Sequence, residues 1–417
     1  MIGGRGGRMM NARNTALVFG LACIAGLPLL IRAQHAPFSG RTPLDANRSM
    51  GQAQTFRNLT LIPVYDSRAT AGNDYMTLDE GLKSGMVTVK ESANGGEVNT
   101  LYLTNKGKKP LYLMAGEVVL GGQQDRCIGA DALVKAGTKQ LPITVFCVEH
   151  NRWTGQTHFD SSAITLASAD IRASAQEGAF ISKAGTAAPT ANVAAGNIAV
   201  ESSRVADRSR ALSATSGIAG RESAQNLNGS ARARITQSSV AHVASLGEAQ
   251  QQVWDKVAAK NRRFKTETES GTYRMMLNLS GGEAQRSLAP YIKALSAAPG
   301  NDPHLVGTVA AINGKVVAAD IFSNSTLFRK LWPKLLRSYA ADAAEHAQAG
   351  KKAQTVTAAD AQRFLRQAAD GKNRVAAGGV TGVNTRLDST QTVLYQLSDD
   401  SRSSRDAKVL HENVLRK

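Results

Sequence analysis

The stretch GTVAAINGKVVAADIF, residues 307–322, constrains the fold more than any other. Two apolar runs flank Asn313-Gly314, a dipeptide that accepts the positive φ angles of a two-residue hairpin turn. The spacing predicts a tight antiparallel hairpin. SNSTLFRKLWPKLLRSYAADAAEHA follows with the spacing of a long amphipathic helix, and Pro333 is expected to kink or restart it.

Upstream, residues 56–160 form a series of short strand-like runs: LTLIPVY, MVTVKES, VNTLYLTN, LYLMAG, EVVLGG, CIGADALV and LPITVFCVEH. Turn residues join them, and YMTLDEGLKSG is read as a short helix stopping at Gly85. Short strands without intervening long helices predict antiparallel β structure. Residues 161–247 differ: Ala, Ser, Gly and Asn dominate, which predicts a flexible insertion too poor in apolar surface for its own core. Order is expected again from Glu248, with Val253, Trp254 and Val257 on one helix face, then helices at 283–297 and 356–370 and late strands in VLYQLS and AKVLHENVL. The expected architecture is α+β. An antiparallel β-rich N-terminal half packs with a helical and β-hairpin C-terminal half. The main domain spans 56–345 and is followed by an extension, 346–417.

The N-terminus has the three parts of an export signal. Arg5, Arg8 and Arg13 make a positive start, Thr15 to Ile31 is uncharged and apolar, and Ala33 is small enough to precede a cleavage point. Residues 1–33 are thus read as a signal peptide and 34–55 as a polar leader, which places the mature chain in the periplasm or outside the cell. An uncleaved anchor is the alternative, although Pro28 interrupts the run. Lipidation at Cys23 fits poorly, because the apolar run continues past it. No later run is long enough to span a membrane. The formal charge is +17, and four of the positives, Arg5, Arg8, Arg13 and Arg32, lie in the signal. For an exported body, a basic surface suits an anionic envelope or a phosphorylated ligand better than nucleic acid, and the basic insertion is the candidate for envelope contact. Simple solvation of that surface is the plainer alternative. Past the signal only Cys127 and Cys147 remain, and a disulfide and two buried thiols are both open.

Two stretches carry more polar chemistry than a β scaffold needs: AGEVVLGGQQDR, residues 115–126, and CVEHNRW, residues 147–153. Glu117 and Glu149 are the acid/base candidates. Gln124, Arg126, Arg152 and Trp153 are the candidate ligand contacts, with Gln123 beside them as a neutral donor and acceptor, since arginine forks suit phosphate or carboxylate. The competing reading is that the glutamates and arginines pair with one another and close a sheet end. No cofactor or metal is expected: His150, His158 and Asp160 have no familiar ligand spacing, and neither a Walker loop nor a G-x-S-x-G elbow is present. Arg262 and Arg263, with Lys260 and Lys265, are read as a solvated helix face, and Trp254 and Trp332 as core anchors.

Together YMTLDEGL, LYLMAGEVVLGGQQDR, PITVFCVEHNRW, QQVWDKV, GTVAAINGKVVAADIF and LFRKLWPKLLRSYAADA resemble the domain family associated with ADP-ribosylglycohydrolases and rhodanese-phosphatases. The resemblance implies a link to ADP-ribose or phosphate metabolism by association, not by mechanism. The export signal and the Ala/Ser-rich insertion depart from it, and export weakens the ADP-ribose link. The expected function is an exported binding or accessory module with a Glu/Arg/Gln cleft. An enzyme acting on a phosphorylated or nucleotide-like ligand and a structural envelope protein are the alternatives.

Overall fold

The computed structural model describes residues 45–72, 75–92, 98–152, 159, 165–186, 230–277, 282–348, 354–371, 373–379, 382–399 and 408–417. The signal segment, Trp153, His158 and Asp160 lie outside the described residues, as does the middle of the 161–247 segment.

The chain opens with β1 (Arg48–Met50), β2 (Gln54–Phe56) and β3 (Leu59–Asp66), and then β4 (Met76–Thr77) runs into α1 (Leu78–Lys83). Thr77 and Glu80 cap α1 reciprocally, as S/T-x-x-E does at a helix start. Next come β5 (Val87–Lys90), β6 (Thr100–Asn105), β7 (Leu111–Leu113), β8 (Glu117–Val119), β9 (Arg126–Ile128), β10 (Ala132–Val134) and β11 (Leu141–Cys147). Strand β12 (Thr165–Leu166) precedes α2 (Ala169–Thr186), α3 (Ser230–Phe264), α4 (Arg274–Leu277) and α5 (Gly282–Leu295). The expected hairpin follows as β13 (Leu305–Ile312) and β14 (Lys315–Phe322), then α6 (Ser325–Glu345) and α7 (Ala358–Ala369). The described chain ends in β15 (Asn373–Gly379), β16 (Gly382–Asp388), β17 (Thr392–Ser398) and β18 (Val409–Arg416).

Among the described residues these strands form three sheets. Nine strands make the central one, in the order β1-β3-β13-β14-β18-β17-β16-β15 with β2 also on β3. Two smaller sheets have the orders β12-β8-β9-β11-β6-β5 and β10-β7-β4. Every pairing is antiparallel except that of β4 with β7, so the α+β expectation holds. Asn313 and Gly314 both have positive φ, 50° and 78°, as a hairpin turn of this kind requires. Strand β13 is buried along its whole length, because the central sheet is covered on both faces. Phe364, Leu365 and Ala368 of α7 cover one face, against Val309, Ala319 and Val414. Helices α2, α5 and α6 and part of the six-stranded sheet cover the other. Alternating Leu101 and Leu103 help fill a separate core between the smaller sheets.

Three expectations change. Helix α6 continues through Pro333 without a restart, and its N-terminus is capped by Asn324, which accepts from the Leu327 N–H at 2.8 Å. The segment 161–247 is not loose at its ends. There α2 and the C-terminal part of α3 pack together and onto the core, burying Ile171, Ala175, Ala179, Ala249 and Val253. Composition hid this contact because alanines make it: a Cβ on Gly178 would stand 2.5 Å from Ala249 Cβ. Nor is 346–417 an appendage, since β18 lies between β14 and β17 in the central sheet.

Gly116, at the start of the first polar motif, has φ +92°, and a Cβ there would collide with Cγ of Arg172. Gly116→Ala should therefore lower unfolding stability by roughly 2–4 kcal/mol, read as the shift in the urea midpoint. A loss no larger than that of an exposed glycine would contradict this packing.

Candidate functional site

The two polar motifs meet at the ends of β8, β9 and β11, but their charged groups face one another. Glu149 accepts from Nε and Nη2 of Arg152 at 2.9 and 2.6 Å, and from the Asp125 N–H at 3.0 Å. Arg152 also donates to the carbonyls of Gly122 and Gly121, at 2.8 and 3.3 Å. Arg126 is buried, paired with Glu91 at 3.5 Å and within 3.4 Å of Gln124 Oε1. Gln124 donates in turn to the His150 carbonyl at 3.3 Å. The backbone N–H of Gln123 donates to Glu91 at 3.2 Å.

Asp125 is the hub of this web. It is fully buried and accepts from the Gly121 N–H at 2.7 Å, the Thr272 hydroxyl at 2.7 Å and the Arg274 guanidinium at 2.8 Å. Its place inside GGQQDR was visible in sequence, but Thr272 and Arg274, about 150 residues on, were not. Burial raises the Glu91 carboxyl despite Arg126 beside it.

Glu117 stands apart from this web. Its carboxylate takes the Lys334 ammonium from α6 and the Met114 N–H at 2.9 Å, and Lys334 bridges on to Asp79 at 2.7 Å. Burial raises Glu117, against the pull of Lys334. The structure therefore does not gather Glu117, Arg126, Glu149 and Arg152 into one open cleft, and of the four only Arg152 keeps appreciable exposure, 26% of its side chain. Cys127 and Cys147 are free, buried thiols, and burial pushes Cys127 up to about 12. They sit on neighbouring strands but on opposite faces, because Cys127 is paired with Phe146 and side chains alternate. Trp332 is buried, whereas Trp254 lies half-buried, edge-on to His150 at 4.4 Å.

Two further polar centres escaped the sequence reading. At the first, Asp320 of β14 accepts from Arg172 of α2 at 2.7 Å, from Asn413 Nδ2 at 2.9 Å and from the Tyr339 hydroxyl. His411 bridges Asp320 and Asp131, at 3.1 and 2.6 Å, and Asp131 accepts from the Ala115 N–H at 2.7 Å. All of these side chains are buried. Burial opposes charge on Asp320, yet Arg172 and His411 hold its carboxyl well below the usual range. Burial likewise opposes protonation of His411, and the two aspartates override it, raising the ring to about 9.

The second centre borders a cavity of about 580 Å³, whose lining includes Asn58, Asp170, Lys315, Asp342, His346 and Lys417. Lys260 is fully buried beside it, which overturns its reading as part of a solvated face. Positions 253, 257, 260 and 264 share the buried stripe of α3, so Lys260 follows Val253 and Val257 inward. Its ammonium lies 3.2 Å from Asp170 and 3.1 Å from Asp342, and also contacts Glu345. Oxygens of the three carboxylates lie within 4.8 Å of one another, a spacing compatible with a divalent ion, and the Lys260 ammonium supplies the cation there. Burial pushes the Asp342 carboxyl up to about 6; Lys260 opposes the shift and Asp170 adds to it. The sequence signal was the run Asp342-x-x-Glu345-His346, one helix face bearing two acids. Among the described residues no helix is long and apolar enough to cross a membrane.

An α+β body with a charged core and a polar cavity is the class of protein defined by this fold. The chain belongs to the ARG and Rhodanese-Phosphatase-superfamily-associated Protein domain family, whose pattern matches residues 47–190 and 199–415. The match takes in β15 to β18 and most of the 161–247 segment, so both are parts of the family domain. No curated protein and no solved structure matches the chain.

His411 gives this core a pH signature. Its folded pKa of about 9 lies above the ordinary value of 6.5, so its contribution to stability is complete below about pH 6.5 and lost as pH rises through about 9. Asp320 has the opposite sign: its contribution is present above its ordinary value of 3.8 and lost on acidification. Unfolding free energies from urea titrations should fall between pH 7 and 9.5 by roughly 2–3 kcal/mol in the native chain and by clearly less in His411→Gln. Equal alkaline slopes in the two proteins would remove His411 from this role.

Proposed function

We propose that this chain is an exported binding or accessory module whose ligand seat is the cavity beside Asp170 and Asp342. In this reading Glu117, Gln124, Arg126, Glu149 and Arg152 serve the frame. The observation that carries it is the contrast between the two regions. The motif charges are turned onto one another, while the cavity presents Lys315, whose ammonium makes no hydrogen bond or ion pair among the described residues. An uncommitted lysine in a concave, partly apolar site suits a small anionic ligand such as a phosphorylated compound. The positive start, apolar run and small residue at Ala33 support export. The surplus of Lys and Arg in the insertion supports contact with an anionic envelope surface.

A second reading, an enzyme acting on a phosphorylated or nucleotide-like ligand in the same cavity, is favoured by Asp342. A carboxyl pushed up to about 6 is poised for proton transfer near neutral pH.

Thermal-shift and calorimetric titration of the full chain with inorganic phosphate, hexose phosphates and ADP-ribose tests both readings. An anionic compound should stabilise the protein, and Lys315→Gln should weaken its binding about tenfold. Glu149→Gln should lower stability without changing that affinity. Affinity that follows Glu149 and Arg152 instead would return the site to the motifs. Consumption of the ligand would decide for the enzyme.

A further inference from the structure

The cavity has two unlike walls. On the strand side stand Lys315, at the hairpin tip, with Arg416 and Lys417 at the end of β18. Arg416 donates to the Val316 carbonyl at 2.5 Å and lies over Phe364, while Lys417 pairs with Asp388 at 2.6 Å. These two set a positive background, and Lys315 remains the contact group. On the helix side stand Asp170, Asp342 and His346. Both oxygens of Asp342 are engaged, Oδ1 by Lys260 and Oδ2 by the Ala169 N–H at 2.8 Å. Asp170 differs. Its Oδ1 takes the Ser168 hydroxyl at 2.6 Å and the Ile171 N–H at 2.8 Å and lies 3.2 Å from Lys260, whereas its Oδ2 has no hydrogen bond among the described residues. The Asp170 side chain is 40% exposed. Ala173, Ile312, Val317 and Leu415 supply apolar lining to the same cavity.

Resting on the reading of this cavity as a binding site, we infer that its ligand is dipolar: a small soluble molecule with an anionic group for Lys315 and a protonated amine for Asp170. An ammonium donates three hydrogens and needs acceptors, and Asp170 Oδ2 offers one that is charged and already held in place by its partner oxygen. A metal ion fits less well on this wall, because Lys260 already occupies the space among the three carboxylates. Burial opposes charge on Asp170, yet Lys260, the Ser168 hydroxyl and Lys256 hold its carboxyl below the usual range, so it meets a ligand as a carboxylate. His346 donates from Nδ1 to the Asp342 carbonyl at 2.8 Å, which leaves Nε2 as a further polar contact for the ligand.

Matched sugars test the inference. Glucosamine 6-phosphate carries both groups, glucose 6-phosphate replaces the amine with a hydroxyl, and glucosamine lacks the phosphate. Titrated into the full chain, glucosamine 6-phosphate should bind at least tenfold more tightly than either of the others. In Asp170→Asn, with folding checked by circular dichroism, that advantage should vanish while glucose 6-phosphate affinity stays within twofold. Lys315→Gln changes an exposed side chain without partners and should weaken both phosphates alike. Equal binding of the two phosphates to the native chain overturns the dipolar ligand and leaves the anion-binding reading intact. Equal binding of glucosamine and its phosphate overturns the role of Lys315. If the three sugars and the wider anionic panel all fail to bind, both the inference and the cavity's binding function fall together.

Discussion

A charge buried away from water must be answered by another charge or by several hydrogen bonds, and Asp320 is where this chain meets that requirement. Arg172 arrives from α2, Tyr339 from α6, and His411 and Asn413 from the neighbouring strand β18. Through His411 and Asp131 the same chain of contacts reaches the loop that follows β9 and the Ala115 backbone at the first polar motif. Asp320 is paired with Asn413, and Phe322 with His411. A one-residue slip of β18 against β14 would turn His411 and Asn413 to the opposite face, away from the aspartate. The centre therefore sets register as well as compensating charge. It also explains Gly116, because the aliphatic stem of Arg172 occupies the space a side chain would need.

The motif web has the same logic on a smaller scale. Asp125 and Glu149 hold the Gly121–Gln124 turn against the end of β11, and Thr272 and Arg274 bind that turn to the segment after α3. Polar residues gathered at a strand end would ordinarily suggest a reactive loop. Here each carboxylate is answered by arginine or backbone N–H groups, and the chemistry is spent on joining segments. The cavity is the opposite case. Lys260 answers three acids at its edge, while one oxygen of Asp170 and the Lys315 ammonium make no hydrogen bond among the described residues.

How much of this was legible depends on the distance over which the physics acts. The 307–322 hairpin and the short helix stopping before Gly85 rest on residues a few positions apart, and both stand where sequence placed them. Pro333 does not restart the helix, because a proline's local cost can be met by tertiary packing, here the burial of Leu331, Trp332, Leu335 and Leu336 around it. The 161–247 segment misled because alanine packing contributes little to an apolar count yet brings two helices close together. Lys260 misled because its neighbours Arg262 and Arg263 are exposed, and only the 253–257–260–264 stripe told it apart.

What the sequence determined by itself was local: which stretches extend, which coil, where they turn, and the family pattern those stretches carry. Which charges meet was decided by the tertiary structure. Arg172 and Asp320 are 148 residues apart, Glu117 and Lys334 are 217, and Asp131 and His411 are 280. Ion pairing depends on separation in space and on exclusion of water, and neither is written along the chain. The same glutamates and arginines that suggested a cleft in sequence are paired by folding with one another, with Glu91 or with Lys334. The cavity's open groups, Asp170 and Lys315, came from segments that had drawn attention only for other reasons.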